Sequence, residues 1–204
     1  HLNEANINRT SVSQNETVTA YGDNVFAVLG SGNNVFNSYG SNSWVTTGAG
    51  ENTLRLGSCN NRVYQGVGSL KVSTGENSST FIAGNLGDTE LDFNKDSGVW
   101  NFRAGSVNLV PHSDSVKFGA ELTFSKVLLS AQGSDLIIEF DQNTSDKLIL
   151  SGELARSAAK QISSFSFADG TTLTAEQFGA AGLTYNASSN GASFDHSGSY
   201  VKET

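Results

Sequence analysis

The chain has 204 residues, enough for one domain or one elongated repeat array. Its 12 basic and 20 acidic residues give a net charge of −8 with no basic run, which excludes phosphate-backbone recognition and so nucleic acid as a partner. Hydrophobic content of 37% with only 16% charged residues excludes a disordered polyelectrolyte, and no apolar stretch approaches the roughly 18 residues of a membrane span.

Residues 1–20 are polar, rich in Asn, Ser and Thr, and read as a worn first coil or a linker to upstream sequence. With no Met and no signal peptide, the chain is expected to be a mature or excised piece of a larger protein. The single Cys, Cys59, allows no internal disulfide. It stands where other repeat copies carry Gly, so it reads as a small turn residue rather than a nucleophile.

Residues 21–136 hold an internal repeat. Steps of nine from Phe36 reach Val45, Leu54, Val63, Val72 and Phe81; after one extra residue they reach Leu91, Trp100, Leu109, Phe118, Val127 and Leu136. Phe26 extends the series backwards with a similar slip. Glycines run in phase, as in Gly30-Ser31-Gly32-Asn33-Asn34-Val35-Phe36 and Gly48-Ala49-Gly50-Glu51-Asn52-Thr53-Leu54. Each copy reads as a tight turn that Gly allows without steric cost, followed by a short strand. Two strands per eighteen-residue coil, stacked, give two parallel sheets around a narrow core. The single Pro agrees, because a ladder has no use for a residue without an N–H.

The pattern resembles the Gly-Gly-x-Gly-x-Asp-x-U-x nonapeptide of RTX proteins, where U is a large apolar residue. The U slot holds Phe26, Phe36, Leu54 and Val63, and the third Gly is Gly22, Gly32, Gly50 and Gly68. The resemblance implies an all-β fold, a right-handed parallel β-roll or β-solenoid of two sheets, with calcium in the turns. The Asp slot departs from the family. It holds Asn24, Asn34, Asn52 and Asn61, then Ser43, Leu70, Ser79 and Thr89. Calcium takes several carboxylate oxygens, and a neutral Asn offers one oxygen and no charge. The roll is therefore expected to need no cofactor and to hold at most weak, residual calcium. Stacked Asn side chains would staple the turns instead, with Gly32, Asn34, Gly50, Asn52, Asn61 and Gly68 as the turn positions.

Residues 137–178 lose the period and read as a mixed C-terminal cap. A strand at 135–140 and a second at 146–150 are followed by a short helical stretch over 153–160. An Asp169-Gly170 hairpin and an N-capped helical turn at 174–178 complete it. Residues 133–178 resemble the domain that follows RTX repeats in exported bacterial proteins, through the strand ending Phe140-Asp141, the Asp146-x-Leu148-x-Leu150 strand and Phe167-Ala168-Asp169-Gly170-Thr171-Thr172-Leu173-Thr174. Residues 179–204 form a Gly-, Ala-, Ser- and Asn-rich tail, and the resemblance implies an export signal there.

Catalytic groups do not assemble in the sequence. His1, His112 and His196 lack ligand spacing, and the many serines sit in no Gly-x-Ser-x-Gly elbow. Asp88, Glu90 and Asp92 alternate with apolar residues, so three carboxylates line one outward strand face; a solvated face, a cation site and acid catalysis are the three readings. Asp88, Asp92, Asp96 and Asp114 are the candidate metal positions. Tyr21, Tyr39, Trp44 and Tyr64 stand beside or near inward positions; either they point outward, able to stack on sugar or a partner, with Tyr39, Trp44 and Tyr64 the candidates for surface binding, or turn geometry tucks them inside. The leading reading is a non-catalytic C-terminal binding and export module of a larger secreted bacterial toxin, adhesin or exoenzyme, acting outside the cell and docking on a host receptor or glycan, with the upstream domains of its parent as further partners. The alternatives are a structural or surface-polymer-binding solenoid and a β-helical polysaccharide-active enzyme.

Overall fold

A computed structural model describes residues 8–10, 15–76, 78–105, 113–141, 143–157, 161–180 and 183–185. Strands β1 (Asn8–Thr10), β2 (Thr17–Ala20), β3 (Phe26–Val28), β4 (Val35–Ser38), β5 (Trp44–Thr46) and β6 (Glu51–Leu56) begin the chain. They are followed by β7 (Asn61–Tyr64), β8 (Ser69–Thr74), β9 (Ser78–Ala83), β10 (Thr89–Phe93), β11 (Gly98–Arg103) and β12 (Ser115–Phe118). The C-terminal part adds β13 (Val127–Gln132), β14 (Asp135–Phe140), β15 (Asn143–Leu150), β16 (Ser164–Ser166), β17 (Thr172–Leu173), helix α1 (Ala175–Ala180) and β18 (Leu183–Tyr185).

From β1 to β12, odd and even strands separate into two sheets. One sheet runs β1-β3-β5-β7-β9-β11 and continues through β15, β14, β13 and β18. The other runs from β2 through β4, β6, β8, β10 and β12 to β16 and β17. All pairings from β1 to β12 are parallel, so the fold is an all-β parallel solenoid of about five turns. Period two along each short strand sends alternate residues into the core. Phe36 lies opposite Leu54, Leu54 opposite Val72 and Val72 opposite Leu91, forming one apolar column. Ala27, Val45, Val63, Ile82 and Phe102 form the facing column.

The nine-residue series holds for most of its members and fails in identifiable places. Phe26 was expected in the core, but it stands 37% exposed while Val25 and Ala27 on either side are buried. Phe81 is also turned outward, and Ile82 takes the inward place. In both cases two or more apolar residues adjoin, and the strand register alone decides which points in. For Phe81 the register moves because Val63 pairs with Ile82, one residue later than an eighteen-residue coil would give. Phe118 is buried, though opposite Phe93 rather than Leu91, because the coil from β10 to β12 is longer and brings Val116 against Leu91. Val127 is partly buried against the core, and Leu109 lies outside the described residues.

The C-terminal part extends the solenoid. Strand β15 pairs parallel with β11, and β16 pairs parallel with β12, so each sheet gains a further rung from residues beyond 140. The boundary expected between residues 136 and 137 falls inside β14. Strands β13, β14 and β15 run antiparallel to their neighbours in that set. The expected helix after 153 is only a 3₁₀ turn, Glu153–Ala155, among the described residues. The Asp169-Gly170 turn joins antiparallel β16 and β17, and Thr174 caps α1 reciprocally with Gln177. Phenylalanines fill this end of the core, with Phe165 stacked on Phe178 at 4.1 Å and Phe118 on Phe167 at 4.8 Å. Among the described residues no helix is long and apolar enough to cross a membrane.

Candidate functional site

Asn34 and Asn52 stand two residues before Phe36 and Leu54, so alternation turns their side chains inward, where both are buried. Asn34 Nδ2 donates to the Gly30 and Gly32 carbonyls at 3.1 and 2.9 Å and to Asn52 Oδ1 at 3.1 Å. Its Oδ1 accepts the Glu16 N–H of the preceding coil at 3.2 Å. Asn52 Nδ2 donates to the Gly50 carbonyl. On the other sheet, buried Asn61 donates to the Gly57 carbonyl at 2.8 Å and accepts the Ser43 N–H at 3.4 Å. Each amide thus ties its own turn and reaches the neighbouring coil, at about 1 kcal/mol per bond. Asn24 does not join this column: in a left-handed conformation at an exposed corner, it accepts from Asn42 at 3.2 Å. The glycines beside the ladder stack directly. A Cβ on Gly50 would lie 2.6 Å from the Gly32 carbonyl oxygen, and one on Gly68 2.0 Å from that of Gly50.

The candidate metal positions are not brought together. Asp114 occupies the slot of Asn34 and Asn52 on a later rung, buried, with Oδ1 accepting the Thr89 N–H at 2.7 Å. Asp88 Oδ1 accepts the Ser113 N–H at 2.7 Å from the exposed edge. Asp96 is an exposed, left-handed turn residue whose N–H goes to Asp146. Asp92 and Glu90 face outward, but Lys71 and Lys117 on the flanking strands lie among them. Lys71 Nζ is 2.6 Å from Glu90 and 3.2 Å from Asp92, and Lys117 Nζ is 2.9 Å from Glu90. The acidic strip is therefore an ion-pair lattice across β8, β10 and β12.

Partial burial works to raise the Glu90 carboxyl, yet hydrogen bonds from Lys71 and Lys117 outweigh it and hold the group below its ordinary value of 4.5. Its hydrogen bond to Glu90 raises the Lys71 ammonium correspondingly. A carboxyl with a lowered folded-state pKa stabilises the fold above its unfolded value and loses that contribution as pH falls through the folded one. Glu90→Gln is expected to cost at most about 1 kcal/mol near neutrality, because these pairs are partly solvated. Urea titrations of variant and parent should converge on acidification. A difference unchanged down to about pH 3 would show that the ion pairs contribute nothing.

The turn column does not fit calcium. Its Asn oxygens are neutral and face backbone or amide N–H donors, and the Asp114 oxygen that replaces them does the same. Among the described residues no group of three His, Cys, Asp or Glu side chains is placed to hold a metal ion. His1, His112 and His196 lie outside the described residues.

The aromatic candidates divide. Tyr39, 68% exposed, stacks on Tyr21 at 5.2 Å, both just past strand ends. Trp44 and Tyr64 lie on the outer face of the odd-strand sheet, stacked at 5.4 Å. Phe26 and Phe81, turned outward, extend them into a row with one ring from each of β3, β5, β7 and β9, at centroid spacings of 5.9, 5.4 and 6.2 Å. Arg62 lies over the Trp44 ring at 5.8 Å and Arg103 over Phe81 at 5.7 Å. Sequence reasoning missed these two arginines and the two phenylalanines; the signal was the outward period-two position shared with Trp44. It also missed buried Asp146, which accepts the N–H groups of Asp96 and Gly98 at 2.7 Å each. Gln65 was missed as well. Buried, it donates to the Gly68 and Gly87 carbonyls and accepts from Asn85 and Thr89.

Residues 135–177 match the family described as the haemolysin-type calcium binding protein related domain. The match begins with β14 and takes in Asp146 and the Asp169-Gly170 turn. The chain matches no curated protein.

Proposed function

We propose that the chain is a non-catalytic binding module of a larger secreted bacterial protein, docking on a receptor or glycan through the outer face of its odd-strand sheet. The observation that carries this reading is the outward-facing row Phe26-Trp44-Tyr64-Phe81, with Phe26 and Trp44 exposed and Tyr64 and Phe81 half-buried, and with Arg62 and Arg103 laid on it. Aromatic and Arg side chains on an exposed surface supply most of the affinity in recognition, and a contiguous apolar patch of this kind on a solenoid marks a contact surface. The haemolysin-type related segment at 135–177 supports placement outside a bacterial cell, as part of an exported protein. The carboxylates support a role without catalysis. Glu90 and Asp92 are neutralised by lysines, while Asp114 and Asp146 accept backbone N–H groups.

Labelled chain applied to a glycan array and a panel of intact cells tests the reading. The parent should give a saturable signal that falls about tenfold in Trp44→Ala/Tyr64→Ala and stays unchanged in Lys71→Gln/Lys117→Gln on the opposite sheet. No parental signal on any surface, or equal signal from all three proteins, sinks the proposal.

A further inference from the structure

The two outer faces of the solenoid carry different chemistry. On the even-strand sheet, outward positions of β6, β8, β10 and β12 include Glu51, Arg55, Lys71, Glu90, Asp92 and Lys117, with both signs of charge. On the odd-strand sheet, outward positions of β3, β5, β7, β9 and β11 include no carboxylate, and their only charges are Arg62 and Arg103. Neither arginine is ion-paired among the described residues. In a chain of net charge −8 this is the face that draws an anion.

The face is also grooved. One shallow depression is lined by Asn60, Arg62, Ser79, Phe81, Val99 and Asn101. A second, lined by Asn42, Trp44, Asn60 and Arg62, adjoins it through Asn60 and Arg62. Together they form a trough along the solenoid axis, beside the aromatic row. Trp44 and Phe81 supply an apolar wall. Asn60 supplies an amide that both donates and accepts, the pairing that sugar hydroxyls require; Asn42 keeps its acceptor oxygen while its Nδ2 donates to Asn24, and Asn101 keeps its donor NH₂ while its Oδ1 accepts from Ser151. Asn60 is exposed and has no hydrogen-bond partner among the described residues. Arg62 offers a planar fork that takes a carboxylate or sulfate with two parallel bonds.

We propose that this trough binds a linear acidic polysaccharide laid along the solenoid axis, its anionic groups held by Arg62 within the trough and by Arg103 beside it over Phe81, and its hydroxyls by the asparagine amides. The shape suits an extended chain: the rings recur once per coil, 5.4 to 6.2 Å apart, on the scale of one sugar ring per coil. The proposal rests on the reading of the chain as a binding module and names its ligand class.

Polygalacturonate and chondroitin sulfate serve as carboxylated and sulfated probes, with fully methyl-esterified polygalacturonate as the neutral control. Calorimetry should show saturable binding of at least one acidic polymer, weakening as salt is raised. The neutral ester should bind about tenfold or more weakly, and Arg62→Gln and Trp44→Ala should each lose about tenfold in Kd. Circular dichroism of both variants should match the parent, and Lys71→Gln should bind as the parent does. Equal affinity for the ester, parental affinity in both variants, or no binding of either acidic polymer overturns the proposal. If no polysaccharide binds while Trp44-dependent attachment to cells persists, the ligand class is wrong and the module reading stands. If attachment also ignores Trp44, both fall.

Discussion

Replacing Asp146 by alanine is expected to destabilise the chain by about 3 kcal/mol, since two N–H donors lose a buried ionic acceptor. The donors belong to Asp96 and Gly98, in a turn whose residues take left-handed conformations and cannot rearrange freely. The Ser97 carbonyl in the same turn accepts from Ser78 and from the indole of buried Trp100. The carboxylate therefore sets the turn that seats the largest side chain in the core. Asn143 donates to it as well. Asp146→Asn keeps one acceptor oxygen and turns an NH₂ toward the remaining donor, so its loss should be smaller than that of alanine but clear. Urea denaturation orders the three proteins, and an alanine variant within about 1 kcal/mol of the parent would show that water replaces the carboxylate without cost.

The second large effect is expected from Asn34→Asp/Asn52→Asp. The parent should melt at the same temperature with and without a chelator, because its turn column contains no repelling charges. The double variant should lose more than about 3 kcal/mol in chelator. It gives up the Nδ2 donations to Gly30, Gly32, Gly50 and Asn52 and places two carboxylates on adjacent rungs in buried positions. Calcium should restore part of that loss in the variant while leaving the parent unchanged. A parent that is unfolded in chelator and gains sheet with calcium refutes this account of the Asn column.

Much of the architecture was legible because each inward slot recurs every eighteen residues, and Phe36, Leu54 and Val72 alone establish a parallel column. What the period could not resolve were pairs of adjacent apolar residues. Val25-Phe26-Ala27 and Phe81-Ile82 each contain a residue able to face inward, and only the register with the next coil chooses. The site was legible to the same depth. Asn34 and Asn52 could be assigned to turns from their phase, but adjacency to Val45 and Val63 left Trp44 and Tyr64 open to an outward or an inward place, and only the aligned strands turn them outward. The acidic strip was visible, but its counterions were not, since Lys71 and Lys117 come beside Glu90 only once the strands are aligned. Asp146 looked like one more residue of a turn cluster. Its partners lie about fifty positions away and belong to a different coil.

The parallel stacking has a mechanical corollary. Ladder hydrogen bonds in the solenoid point along its long axis, from coil to coil, so tension applied along that axis pulls each bond lengthwise. A terminal coil touches only one neighbour and can part without waiting for the rest. Each eighteen-residue coil that peels away releases up to roughly 60 Å of extended chain. Under axial tension the array is therefore expected to lengthen in steps of one coil.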